Sequence, residues 1–203
     1  MLPIDLPKDL QAGWLAAGIV AAVLAWLQYL ANNRWRRADS LAGLMKAWRE
    51  NPINRNAMRM LDVLKIEHHG VRIDFGTAAE KYGVSRYLEL TPELILSALY
   101  TPADCPGPEA LGPEAWGRAQ LIRETMEFFF NELSHMNRYI KDGLYPSWAI
   151  RPYLKWYLGV LGGSTRAATP ETRERFRAYL VAWGFDDVLD LIARARREHW
   201  SRK

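Results

Sequence analysis

The sequence predicts an all-α protein, with one transmembrane helix near the N-terminus and a cytoplasmic multi-helix bundle after it. Three observations carry that prediction. Leu10 to Asn33 run for 24 residues without a charge. Beyond them, apolar residues recur at helical spacing, most regularly between Glu114 and Asp142. The one alternating stretch, Val71 to Phe75, is short and has no partner strand nearby, so it reads as a connector and no sheet is expected.

At ~1.5 Å per residue the uncharged stretch makes about 36 Å of helix, enough for a hydrocarbon core of roughly 30 Å. A buried core helix would be amphipathic, whereas Leu15, Ile19, Val20, Val23, Leu24, Leu27 and Leu30 point all round the axis. A cleavable signal peptide would open with basic residues and carry a shorter apolar run. Here the start holds Asp5, Lys8 and Asp9, and Tyr29 stands where a small residue should precede Ala31. An uncleaved anchor is therefore expected over residues 10–33. Trp14 at its outer end and Trp26, Tyr29 and Trp35 toward its inner end suit the interfacial belt.

Basic residues are retained on the cytoplasmic side, and Arg34, Arg36 and Arg37 outweigh Lys8. The expected topology is single-pass in the inner membrane, with residues 1–9 outside and residues 34–203 cytoplasmic. The single cysteine, Cys105, agrees, since exported domains of this size more often carry paired thiols. Gly13, Ala17, Ala21 and Ala25 recur every fourth position and Gln28 lies beside them, a strip along which a second membrane helix could approach closely. An equally good reading is plain lipid-facing surface, because alanine is common in anchors and Gln28 can reach headgroups.

The chain after the anchor is long enough for one ordinary domain, with Thr101 to Pro113, rich in proline and glycine, as the place where it would subdivide. The net charge is +4, and residues 1–33 contribute −1, leaving +5 for the remainder. That mild excess fits an anionic inner leaflet at least as well as nucleic acid.

Leu41, Leu44, Met45 and Trp48 form one helical face that ends near Asn51-Pro52. Pro52 opens a second helix with Ala57, Met60, Leu61 and Leu64 inside, running to about His68 and stopped by Gly70. Thr77 and Glu80 have capping-box spacing for a short helix ended at Gly83. Thr91-Pro92-Glu93 starts another helix through Leu94, Ile95 and Leu99.

Ala115, Ala119, Ile122, Met126, Phe129, Leu133, Met136 and Ile140 then form a heptad-like stripe, closed by Gly143. Phe128 and Phe130 widen it to either side, which makes this helix the spine of a bundle with partners on more than one face. An aromatic-rich helix follows over Tyr153 to Leu161. Thr169-Pro170 opens another, with Phe176, Tyr179, Leu180 and Trp183 inside, and Asp186-Asp187 begins the last, carrying Val188, Leu191, Ile192 and Ala195.

The phrases RRADSLAGLMKAWRENP, AMRML and FFFNELSHMNRYIKDGLYPSWAIRPYL resemble a bacterial family of uncharacterised proteins with one N-terminal membrane helix and a helical cytoplasmic domain of unknown function. The resemblance covers roughly Arg34 to Leu161. It implies an anchor plus a bundle and carries no catalytic residues.

Three constellations carry residues that could do chemistry. Glu132 and His135, with Glu124 and Glu127 nearby, have the E-x-x-H spacing of carboxylate-bridged di-metal bundles, but a second such motif is missing, and a hydrogen-bonded histidine at the core edge accounts for the pair. Glu67, His68, His69 and Asp74 fail as a cluster because adjacent helical side chains diverge by about 100°. The segment TAAEKYGVSRYLEL looks like the start of a helix-turn-helix, but Thr91-Pro92 cuts the recognition helix short, so two short bundle helices are expected. A Gly-rich phosphate loop, a nucleophile elbow and a Cys–His pairing are missing, and Cys105 falls in an exposed loop.

The expected function is a membrane-anchored module for protein interaction or regulation at the inner membrane. No catalysis, cofactor or metal is inferred. Its partners are membrane lipid and either a protein or a second copy of the chain; nucleic acid is disfavoured and no small-molecule substrate is identified. The competing readings are an accessory subunit of a larger membrane complex, a membrane-tethered DNA-binding regulator, and an enzyme whose site motifs do not reveal.

Overall fold

The computed structural model describes residues 8–64, 70–162, 168–198 and 200, with the side chains of the first helix described from residue 17. The chain divides into two compact units, residues 1–44 and 45–203. The fold is mostly helical, as the periodicity requires. Helix α1 (Lys8–Glu50) continues without interruption from the predicted anchor through the first amphipathic segment, because no Pro or strong breaker falls between Asn33 and Leu41.

In the second unit, Met45 and Trp48 of α1 are buried. The backbone then turns at Asn51, whose side chain accepts from the Ile53 N–H at 2.9 Å, and Pro52 occupies the first turn of α2 (Pro52–Val63). Asparagine at the cap and proline just after it are what a helix start prefers, since the proline lacks an N–H that would be orphaned there anyway. Helix α2 gives way at Leu64, earlier than the predicted His68, and Glu67, His68 and His69 lie outside the described residues.

The expectation of no sheet is wrong. Strands β1 (Val71–Asp74) and β2 (Tyr87–Leu90) pair antiparallel, with Ile73 opposite Leu88 and Asp74 opposite Tyr87. Leu88 and Leu90 are buried while Tyr87 and Glu89 are exposed, a period-two pattern. The residues expected to form the second of two short bundle helices are therefore strand, and no recognition helix forms there. Between the strands lies a 3-10 helix (Gly76–Tyr82) with Gly83 in the left-handed region at φ 63°. The Thr77–Glu80 capping box does not form: the residue at the cap is Phe75, and the Asp74 carboxylate accepts from the Gly76 N–H at 2.7 Å instead. A two-stranded ribbon is marginal alone. Here Asn56 of α2 donates to the Asp74 carbonyl at 2.9 Å and ties the ribbon to the helices.

Helices α3 (Pro92–Ala98), α4 (Pro108–Leu111) and α5 (Pro113–Lys141) follow. Thr91 caps α3 as expected, accepting from the Leu94 N–H at 3.3 Å. The Pro-rich loop holds the single turn of α4 and lies inside the second unit. Helix α5 is the spine: it packs on the 3-10 helix, α2, α3, α4 and α8. Every predicted stripe residue from Ala119 to Ile140 is buried, and only Ala115, at the exposed first turn, is not.

Phe129 and Phe130 divide the core between them. Phe129 meets Trp48 at 5.7 Å and Tyr157 at 6.1 Å, whereas Phe130 meets Phe185 at 5.3 Å and Phe176 at 6.3 Å. Helix α6 (Ser147–Gly162) starts earlier than predicted and carries Pro152 near its start, where little of the hydrogen-bond ladder is lost. Helices α7 (Pro170–Ala182) and α8 (Asp186–Arg197) complete the fold, α7 capped by Thr169 on the Thr172 N–H at 3.1 Å.

Candidate functional site

Residues 17–40 of α1 are exposed on every face, apart from the half-buried Asn33. Ile19, Val20, Val23, Leu24, Trp26, Leu27, Tyr29, Leu30 and Trp35 all present more than a third of their surface, Trp35 reaching 75%. Trp26 stacks on Tyr29 with ring centroids 6.2 Å apart. Arg34, Arg36 and Arg37 are exposed directly after the apolar run, and Ala17, Ala21, Ala25 and Gln28 are exposed within it. Gly13 and Trp14 lie outside the residues whose side chains are described. Among the described residues no helix is long and apolar enough to cross a membrane; the predicted span opens at Leu10, seven positions before the described side chains begin.

The polar constellations of the second unit resolve into structural pairs. His135 is exposed, not at the core edge, with Nδ1 3.8 Å from Glu132. Glu124 accepts from Lys81 at 2.8 Å, which holds its carboxyl below the usual range despite the opposing effect of burial. Asp74 forms a bidentate pair with Arg86, both contacts at 2.8 Å, and that guanidinium together with the Gly76 N–H lowers its pKa to about 2. Among the described residues no group of three or more His, Cys, Asp or Glu is placed to hold a metal ion.

One cluster on α5 and α7 escaped the sequence reading. The Arg123 guanidinium lies 4.5 Å from the Trp183 ring centroid and 5.2 Å from that of Tyr100, and its Nε donates to Glu127 at 2.9 Å. Tyr179 donates to the same Glu127 oxygen at 2.7 Å, and burial followed by that carboxylate pushes its hydroxyl far above the phenol range. Trp183 Nε1 donates to the Tyr100 carbonyl at 3.0 Å. Donors and acceptors are matched within the cluster, so it clamps α7 onto α5 and leaves nothing aimed at a ligand. Asp187 plays a similar part between α5 and α8. It accepts from Lys141 at 2.9 Å and Arg138 at 3.0 Å, and these cations hold its carboxyl low.

A different arrangement occupies the cleft where the end of α6 meets α7 and α8. Its volume is about 360 Å³, and its lining includes Arg173, Arg177 and Arg196 together with Leu180, Leu189 and Ile192. Arg173 donates to the Ala168 carbonyl through Nε at 3.3 Å and Nη2 at 3.0 Å, and Arg196 donates to the Gly162 carbonyl. A Cβ on Gly162 would stand 2.7 Å from Ile192 Cγ2, so the close approach of α6 to α8 favours glycine there.

Compared with family models, curated proteins and solved structures, the chain matches none. Function is therefore argued from the chemistry of these surfaces alone.

Proposed function

We propose that the chain is a single-pass membrane protein whose first unit anchors it and whose second unit is a cytoplasmic helical module for protein interaction or regulation. The observation that carries this reading is the exposure of α1 on every face over residues 17–40, with Asn33 alone half-buried. A helix that is apolar all round has no solvated face to turn outward, and each large aliphatic or aromatic side chain left in water forgoes about 1.5–3 kcal/mol relative to burial. Lipid removes that cost without requiring a shaped partner, and the 24 uncharged residues from Leu10 give enough length. Arg34, Arg36 and Arg37 set the direction by remaining on the cytoplasmic side.

The second unit supports a non-catalytic role: its ionisable clusters are paired across helices in ways that account for their shifted protonation by packing. A second reading, an accessory subunit of a larger membrane complex, is favoured by Ala17, Ala21 and Ala25 with Gln28 beside them. Their exposure leaves a strip of low relief on which another helix fits.

Reporter fusions after Lys203 test the proposal. A fluorescent protein that matures only in the cytoplasm should light up and alkaline phosphatase should stay silent. Replacing the three arginines by glutamine should mix the orientation, and an active phosphatase on the unaltered chain would overturn the topology.

A further inference from the structure

We propose that the cleft between α6, α7 and α8 is a binding site for a small anionic amphiphile, an oxyanion such as a phosphate monoester joined to a compact apolar group. Elsewhere in this unit Arg86, Arg123, Arg138 and Arg175 each have a carboxylate within 3.0 Å. The cleft instead gathers three arginines around one cavity. Among the described residues none of them forms an ion pair, and Glu174, the one carboxylate of the lining, stays beyond ion-pair distance of each.

Two of them are nonetheless held in place. Main-chain carbonyls at Ala168 and Gly162 fix the Arg173 and Arg196 guanidinia without cancelling their charge, and each has further N–H donors with no partner among the described residues. Holding the donors before a ligand arrives lowers the entropy lost on binding. The planar fork of a guanidinium matches phosphate and carboxylate oxygens in pairs, which favours an oxyanion over a simple halide. Leu180, Leu189 and Ile192 line the same cleft and offer apolar surface that a fully hydrated anion would leave unused. The volume of about 360 Å³ lies at the small end of ligand pockets and suits one ring or a short chain, not a polymer.

The test is titration of the full chain in uncharged detergent with phenyl phosphate, inorganic phosphate and phenol, followed by isothermal calorimetry. Phenyl phosphate should bind saturably, with inorganic phosphate and phenol each at least about ten-fold weaker, because each offers only half of the recognition. Arg177→Gln removes an exposed side chain that has no hydrogen-bond or ion-pair partner among the described residues, so the fold should survive while affinity falls roughly ten-fold. Glu174→Gln should tighten binding, a change of sign that loss of structure would not produce. The source of the oxyanion is read by melting the protein in phosphatidylcholine vesicles with and without phosphatidylglycerol. Stabilisation by phosphatidylglycerol that Arg177→Gln abolishes assigns the site to a lipid headgroup, and phenyl phosphate binding without it assigns a free metabolite; either supports the proposal. Absence of both responses, equal affinity for phosphate and phenyl phosphate, or binding unaffected by Arg177→Gln and Glu174→Gln would overturn it.

Discussion

Gly117 sits in the second turn of α5, where that helix passes the end of the 3-10 segment. A Cβ at this position would lie 2.4 Å from the Tyr82 carbonyl oxygen and 2.9 Å from Val84 Cγ1. Two effects of Gly117→Ala compete. Alanine is favoured over glycine in a helix interior by about 1 kcal/mol. Against that, overpacking costs about 1–3 kcal/mol, and the upper part of the range applies because the main obstacle is backbone and cannot rotate aside. Relief requires moving the 3-10 segment away from α5, which strains the Lys81–Glu124 pair that joins them. The clash should win, with a net loss of about 1–2 kcal/mol. Gly162→Ala meets only the Ile192 methyl at 2.7 Å, at the last residue of α6, and should lose less. Urea unfolding of the full chain in uncharged detergent, followed by tryptophan fluorescence, measures both as shifts in midpoint at constant slope. A Gly117→Ala chain as stable as the parent would show that the 3-10 segment does not rest on α5 as described.

Three further outcomes follow from the same packing. Phe129→Ala and Leu133→Ala, both fully buried, should each cost about 2–5 kcal/mol in that unfolding assay, and an unchanged midpoint would remove α5 from the core. The carboxyls of Asp74, Asp187 and Asp190 are held low by their partners, so each favours the folded state above the ordinary carboxylate range and loses that contribution as pH falls through its folded value. Stability should therefore decline progressively below about pH 4, continuing toward pH 2 where Asp74 titrates, and Asp74→Asn should flatten the lower part of that decline. If the small-residue strip of α1 is an interface, Ala21→Leu or Ala25→Leu should reduce cross-linking between membrane helices while Val23→Leu does not; equal yields would leave the strip facing lipid.

The spine of the fold was legible because one periodic signal ran through it undisturbed. From Ala119 to Ile140 the alternating spacing of three and four leaves a single interpretation, and helix caps at Asn51, Thr91 and Thr169 are read from two or three adjacent residues. The β-ribbon was not. Its strands are four residues each, joined by a 3-10 helix in place of a hairpin turn, and the alternation at Leu88 and Leu90 runs straight into the apolar start of α3. The role of Asp74, which fixes the ribbon by pairing with Arg86, was hidden because sequence shows a carboxylate but not the cation opposite it. The arginine cleft was hidden for a related reason. Arg173 and Arg177 belong to α7 and Arg196 to α8, so only the crossing of those helices brings them together, and along the chain Arg196 reads as part of a basic tail.

Alkaline carbonate extraction of membranes from cells producing the full chain tests the anchoring most directly, since high pH strips proteins held by charge or by soluble partners and leaves those that span the bilayer. The chain should stay in the pellet, and a variant with Val20→Lys and Val23→Lys, each a cost of about 2.5–3.5 kcal/mol at the centre of a span, should move to the supernatant. Release of the unaltered chain into the supernatant would contradict the account and transfer the exposed face of α1 from lipid to a soluble partner.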